Sequence, residues 1–285
     1  SNGFTNIQTP KMTTIGVESG ADLFTVDYFG KPIYLSQSPQ IYKQMFVIGG
    51  FERVYEIAPV FRAEKSHTSR HLTEFTGVDF EMAFIKDENE LMDFVEEMLV
   101  DLLTKLKEES SSELELLEVD HKIPEDIPRI TMAEAKALLA EKGKKYSDED
   151  DLDPEGEKLL GEIVKEKYGS EFVFLTNFPF AVRPFYCMKS EADSNGTKSF
   201  DLLFNGVEIA TGTQREHQLD VLEKQAKGKG LDLDKMPEYK DLFKYGCPPH
   251  GGVGFGLDRI TQRLLKLDNV REAVLLPRDP ERMNP

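Results

Sequence analysis

Tryptophan is absent from the 285-residue chain, and cysteine nearly so. The two cysteines, Cys187 and Cys247, stand far apart with no C-x-x-C spacing, which argues against a disulfide framework or a cysteine zinc site and leaves both as packed thiols. No stretch approaches the about 18 consecutive apolar residues of a membrane helix, and the N-terminus lacks the basic-then-apolar layout of a signal peptide, so the expected compartment is the cytoplasm. Positive charge is scarce. Against 52 Asp and Glu stand 35 Lys and Arg, giving a net charge of −17 and an isoelectric point near 4.8. A chain this acidic does not coat nucleic acid through phosphate contacts; any such contact must be local. His121, His217 and His250 sit in no H-E-x-x-H or carboxylate-facing spacing and read as structural. An initiator methionine is missing too: Ser1 leads straight into the strand-like run from Phe4 to Pro10, and the chain is expected to be a fragment of a longer polypeptide.

What is present is a globular balance, 39% hydrophobic and 31% charged, sufficient to bury a core in one large domain or two small ones. There is no internal repeat, and the Glu/Ser/Leu run from Glu108 to Glu118 reads as a helix end and solvated linker. Ser38 as N-cap before Pro39, with Gly49-Gly50 closing, predicts a helix over 39–48. Asp87 with Glu90 opens a second helix, whose Leu91, Phe94, Val95, Met98, Leu102 and Leu106 recur at helical spacing. Thr131 with Glu134 repeats the capping pattern, and Asp153-Pro154 opens a helix that Gly169 closes. Strands are expected over 54–61, 74–85, 172–175, 200–204, 207–211 and 253–256. Asn205-Gly206 supplies the two positive-φ residues of a type I′ hairpin turn. Hairpins interleaved with helices predict an α+β fold on a mostly antiparallel sheet, with residues 108–170 as a helical insertion between its two halves.

Five clusters could carry chemistry. In the strand 74–85, Asp79 and Glu81 share a face that must meet solvent or a ligand. Upstream, Arg62, Glu64, Lys65, His67, Arg70 and His71 crowd a hairpin loop that suits a phosphorylated anion, or is simply a solvated loop. Asp201 and Glu208 straddle the Asn-Gly turn. Pairing 204 with 207 sets 203 opposite 208 and makes the two carboxylates diagonal neighbours, a place for Mg²⁺ carrying a nucleotide phosphate or an ordinary exposed pair. On the helix 39–48, Gln40, Lys43 and Gln44 share a side that lines a pocket or faces water. Finally, Gly252, Gly254 and Gly256 leave one strand face bare for a flat ring or a backbone, with Arg259 beside it as a phosphate clamp; neither a Walker loop nor a dinucleotide fingerprint is present.

Taken in order, these segments resemble the catalytic domain of class II aminoacyl-tRNA synthetases, on their aspartyl branch of archaeal and eukaryotic type. Gly3 to Pro10 resembles the tail of motif one, Phe61 to Phe75 motif two, and Gly254-Phe255-Gly256-Leu257-Asp258-Arg259 motif three. Leu276 to Arg282 also resembles the end of those enzymes. The resemblance implies an antiparallel sheet flanked by helices and a homodimer through motif one. It also implies activation of L-aspartate by ATP with Mg²⁺, then transfer to the 3′ end of tRNA(Asp). It carries roles onto these residues: Arg62 to the α-phosphate, Glu64 and Phe75 to adenine, His71 near the pyrophosphate and Arg259 to the γ-phosphate. By the same resemblance Asp201 and Glu208 bind Mg²⁺ beside Thr211, Arg215 assisted by Lys43 pairs with the aspartate side chain, and Gln40, Asp79 and Glu18 orient its α-amino group. Arg215 and Lys43 would offer two positive charges to the carboxylate, and a neutral asparagine amide would leave that charge unpaired.

The chain departs from the family pattern in three respects. The N-terminal anticodon-binding barrel and most of the motif-one helix are absent, and Val17-Glu18-Ser19-Gly20 replaces the usual Glu-Gly-Gly loop. Alternative readings are a paralogue that makes asparagine through aspartyl-adenylate, or a non-catalytic module on the same fold. Such a module would be expected to have lost Arg62, Arg259 or Glu208, and all three are present.

Overall fold

The computed structural model describes residues 2–14, 23–65, 68–193 and 195–284. Along the chain run β1 (Thr5–Asn6), β2 (Met12–Thr13), β3 (Thr25–Tyr28), β4 (Lys31–Leu35), α1 (Gln40–Ile48), β5 (Arg53–Phe61) and β6 (Glu74–Ala83). There follow α2 (Glu88–Glu109), α3 (Ser111–Leu116), β7 (Arg129–Thr131), α4 (Met132–Glu141), α5 (Pro154–Tyr168) and β8 (Phe172–Thr176). The last part holds β9 (Ser199–Phe204), β10 (Val207–Gln214), α6 (Leu219–Gly228), α7 (Pro237–Phe243), β11 (His250–Gly256) and α8 (Leu257–Leu264).

Eight strands form one sheet in the order β1-β5-β6-β11-β10-β9-β8-β7, antiparallel except for the two edge pairs β1–β5 and β7–β8. This is the expected α+β architecture. The strand-like start contributes less than its length suggested: only Thr5–Asn6 pair as a strand, with Ile7 N–H bonding on to Tyr55 O before Pro10 intervenes. A second sheet, β2-β4-β3, was not expected. Its β3–β4 hairpin turns at Phe29 and Gly30, both at positive φ, and an aromatic residue is an unusual occupant of the first place.

The helices form where their caps and apolar periods direct. Asp87 accepts from Asn89 N–H at the start of α2, and Thr131 and Glu134 close a full capping box on α4. Helix α1 starts at Gln40, where Ser38 Oγ accepts from the Gln40 N–H. Leu91, Val95, Leu99 and Leu103 of α2 pack on Phe80, Phe200, Val253 and Phe255 in the main core. The run after 108 is not a free linker, since α2 continues to Glu109 and α3 follows at once. Residues 108–170 lie between β6 and β8 in sequence but not between two half-sheets in space. Strand β6 pairs directly with β11, and β7 lies at the far edge of the sheet. Among the described residues no helix is long and apolar enough to cross a membrane.

Candidate active site

Strands β5, β6, β10 and β11, helix α1 and the start of α8 enclose a cavity of about 280 Å³. Its walls include Gln40, Lys43, Arg62, Glu64, His71, Phe75, Asp79, Glu208, Thr211, Arg215 and Arg259. Of the residues given a substrate or metal role by the resemblance, Asp201 is not on the wall and Glu18 lies outside the described residues, as does His67; Gln44, Lys65, Glu81 and Gly252 from the other clusters are also off the wall.

At one end the site is dry. The polar side of α1 is buried, Lys43 at 2% exposed and Gln44 at 0%, so water is not what it meets. Lys43 Nζ lies 2.8 Å from Asp79 Oδ1, 3.2 Å from Val253 O and 3.4 Å from Phe80 O, so its three N–H directions are taken. It is also 3.5 Å from Glu81 Oε2. Arg215, just past β10, donates from Nε and Nη2 to the two oxygens of Glu81 at 2.8 and 3.1 Å. Complete burial would raise the Glu81 carboxyl, but Arg215 and Lys43 overcome it and hold the group below the ordinary carboxylate range. The two cations are therefore not the free pair that the sequence reading supposed: two buried carboxylates already balance them. What remains open is Arg215 Nη1, which donates to no group among the described residues, and the buried Gln40 Nε2, which has no hydrogen-bond partner.

The bare face of β11 has a second use besides the expected one. A Cβ on Gly252 would fall 2.0 Å from Glu81 Oε2, and one on Gly254 would fall 3.1 Å from Asp79 Oδ1. At Gly252 and Gly254 the missing side chains make room for these carboxylates, while Gly254 and Gly256 also line the cavity, Gly256 with nothing closer than 3.7 Å to its Cβ position. Behind them His250, fully buried, takes a hydrogen bond at Nε2 from the Gln44 amide at 3.0 Å, while its Nδ1–H bonds Pro248 O at 2.9 Å. Burial pushes its imidazole down to about 4, so it is neutral.

The other end is half-buried and rich in guanidinium. Arg259 donates from Nη1 to Glu208 O at 3.1 Å and from Nε to Arg70 O at 3.2 Å. The Arg62 guanidinium lies 5.4 Å from the centre of the Phe75 ring, and its Nε is buried without a partner. His71 Nε2 faces Glu64 at 3.3 Å, and Thr68 Oγ1 is hydrogen-bonded to Nδ1. Burial, aided by Arg259 and Arg70, holds His71 below its ordinary range. Arg70, also on the wall, pairs with Glu157 on α5.

Between the ends sits the β9–β10 hairpin. Asn205 and Gly206 take positive φ and Leu203 pairs with Glu208 as expected; a bulge beyond Glu208 then sets Asp201 opposite Thr211. Thr211 Oγ1 donates to Glu208 Oε1 at 3.2 Å. The cation beside Asp201 is a guanidinium, Arg183 Nη2 at 2.9 Å from Oδ2. Burial, reinforced by Glu208, raises Asp201 to about 6, whereas Arg259, Arg183 and Arg62 hold Glu208 low against its own desolvation. Among the described residues no group of three or more His, Cys, Asp or Glu could hold a metal. Glu208 and Thr211 are nonetheless hard oxygen donors of the kind that, with substrate phosphates and water, suit Mg²⁺.

Sequence reasoning set Glu81 and Arg70 in clusters without naming their partners, and did not single out Arg183. Glu81 carried a signal, its two-residue spacing from Asp79 on one strand face. Arg183 had none, because its partners come from other parts of the chain.

The family described as tRNA synthetases class II (D, K and N) matches residues 1–280. An aspartate–tRNA(Asp/Asn) ligase from Aeropyrum pernix is 49% identical over 288 residues, covering 100% of this chain and 65% of its own length. The human cytoplasmic aspartate–tRNA ligase is 44% identical over 290 residues, covering 100% and 58%. Among solved structures, asparaginyl-tRNA synthetase from Pyrococcus horikoshii complexed with asparaginyl-adenylate superposes with a TM-score of 0.93 at 35% identity, over 100% of this chain and 65% of that one. The chain thus spans less than two thirds of the length of these relatives. A match that runs through every strand lining the cavity leaves one conclusion: the chain belongs to the class II tRNA synthetases of the D, K and N group.

Proposed function

We propose that this chain is the catalytic domain of an aspartate–tRNA ligase, with residues 108–170 as its insertion. It joins L-aspartate to ATP as aspartyl-adenylate and passes the aspartyl group to the 3′ end of tRNA(Asp), acting in the cytoplasm as a homodimer. The observation that carries the reading is the buried Lys43–Asp79–Glu81–Arg215 lattice at one end of a cavity whose other end is lined by Arg62 and Arg259. Relatives named as aspartate–tRNA ligases support it.

In this assignment Arg215 Nη1 donates to the aspartate side chain, while Glu81 fixes the plane of the guanidinium. An asparagine amide turned to present N–H would meet donors rather than acceptors, and leaving buried polar groups unpaired is what separates the two substrates. Asp79 and Gln40 bracket the position proposed for the α-ammonium group, with Glu18 assigned to it as well. In the first step an oxygen of the α-carboxylate bonds to the α-phosphorus, the bond to the bridging oxygen breaks and pyrophosphate leaves, with no proton to move. Arg62 and Arg259 neutralise charge on the phosphates, Glu64 and Phe75 receive the adenine, and His71 lies beside the departing pyrophosphate. Glu208 and Thr211 would hold Mg²⁺, which when bound supplies further neutralisation of phosphate charge.

The test is ATP–pyrophosphate exchange in Mg²⁺ with L-aspartate, with L-asparagine and with neither. Exchange with aspartate alone is expected, and Arg215→Ala should abolish it while ATP binding persists. Exchange driven equally by asparagine, or none from a folded dimer, would overturn the reading.

A further inference from the structure

Arg183 has no part in the reactions above, yet it occupies ground that the sequence reading gave to a metal ion. It follows the single helical turn Phe180–Val182 in the connection from β8 to β9 and lines the cavity with Glu208, Thr211 and Arg259. Only 9% of it is exposed. Asp201 lies behind it, buried and off the wall, with its Oδ2 2.9 Å from Arg183 Nη2. The fully buried Phe178 closes another side, its ring centre 3.5 Å from the guanidinium carbon. A cation stacked on a buried ring and paired with a buried carboxylate is costly to remove. Its hydrogen-bonding capacity is nevertheless unspent: Nε and Nη2 are buried without a hydrogen bond, the 2.9 Å contact to Asp201 being an ion pair, Asp201 Oδ1 is likewise unbonded, and Nη1 donates to no group among the described residues.

Location adds to this. Four residues on from Arg183, Cys187 bridges to Arg215, while Asp201, which Arg183 pairs with, lies opposite Thr211 on the strand that carries Glu208. Arg183 therefore stands between the amino-acid end and the nucleotide end. The two hairpin carboxylates are unequal as a result. Glu208 meets the cavity, whereas Asp201 lies off its wall, with Oδ2 given to Arg183 and Oδ1 buried without a hydrogen bond. For Asp201 to anchor Arg183, nothing has to move.

We propose that Arg183 is a further substrate-binding cation of this site, taking an anionic oxygen where its two ends meet, and that Asp201 is the positioning residue of Arg183 and not a ligand of the metal. The inference rests on the aspartate-activation reading. The oxygen belongs to the aspartate carboxylate or to an ATP phosphate, and separate titrations tell the two apart.

The experiment compares the wild type with Arg183→Met, Arg183→Lys, Asp201→Asn, the double variant Arg183→Met/Asp201→Asn, and Glu208→Gln, each checked for fold by circular dichroism. Affinities for ATP and for L-aspartate are measured by calorimetry, and the half-saturating metal concentration is read from Mn²⁺ resonance in the presence of ATP. Arg183→Met and Asp201→Asn should each weaken one substrate by about tenfold or more, the scale of a charge-assisted hydrogen bond. The double variant should be no weaker than Arg183→Met, and Arg183→Lys should recover part of the loss. The metal requirement should stay within about twofold except in Glu208→Gln. A tenfold-scale rise in metal requirement from Asp201→Asn but not from Arg183→Met would make Asp201 a ligand and overturn the proposal. So would Arg183→Met binding both substrates as the wild type does. A wild type that binds neither ATP nor aspartate would bring down the underlying reading, and the proposal with it.

Discussion

The two ends of the cavity solve the problem of holding charge in opposite ways. At the amino-acid end Lys43, Asp79, Glu81 and Arg215 are buried, and each charge meets another before any ligand arrives. At the nucleotide end Glu64, His71 and Arg259 keep about a fifth of their side chains exposed, and the Arg62 Nε waits without a partner. A small ligand with one distinguishing group needs a rigid, dry frame, because discrimination there depends on leaving a mismatch unpaired. A polyphosphate brings several charges of its own, and half-solvated arginines can meet it without a costly empty state.

Breaking the dry end should cost most. Glu81→Gln strands the buried Arg215, while Lys43 keeps Asp79, and a loss of about 3–5 kcal/mol in denaturant unfolding is expected; a loss below about 1 kcal/mol would equate the two ends. Gly252→Ala should follow at about 1–3 kcal/mol, because the new methyl group must displace both the Glu81 carboxylate and the Phe80 carbonyl, 2.0 and 2.2 Å away. His250 supplies a pH signature. Its folded value near 4 lies below the unfolded one, so the unfolded chain binds the extra proton; the stability is fully present above about pH 6.5 and fades as pH falls toward 4. Between pH 7 and pH 5 this amounts to about 2 kcal/mol, which His250→Gln should remove from the slope of stability against pH. The gentlest probe is salt. Raising it from about 50 to about 500 mM should weaken ATP binding a few-fold and aspartate binding much less; equal sensitivity would erase the contrast.

Much of this was legible in sequence where the physics is local. Asn205-Gly206 fixed a hairpin because such residues take two positive φ values in succession at least cost, and Thr131 with Glu134 fixed a helix start because the cap needs nothing from elsewhere. Phe29 carried the same turn geometry in an aromatic residue and so went unread. The limit was sharper in the site. The spacing of Gln40, Lys43 and Gln44 defined a polar face equally fit for water or a pocket, and α7, nearly two hundred residues downstream, decided it by bringing Tyr239 Oη within 3.3 Å of Gln44 Oε1. Arg215 and Glu81 are 134 positions apart. Their pairing is a property of β6, β11 and β10 lying side by side, which no single-segment pattern contains.

The glycine at the tip of the hairpin has a second partner whose effect reaches well beyond the turn. A Cβ on Gly206 would fall 2.7 Å from the Lys158 Cα, and one on Gly161 would fall 2.5 Å from the Gly206 nitrogen, so α5 rests backbone to backbone on the hairpin that carries Glu208. The same helix sends Glu157 to Arg70. Helix α5 thus braces two walls of the cavity at once, and by thermodynamic reciprocity whatever tightens those walls must tighten the helix. The amides of α5, remote from any substrate atom, should exchange with solvent more slowly when nucleotide is bound, making residues 154–168 a reporter of occupancy rather than an appendage.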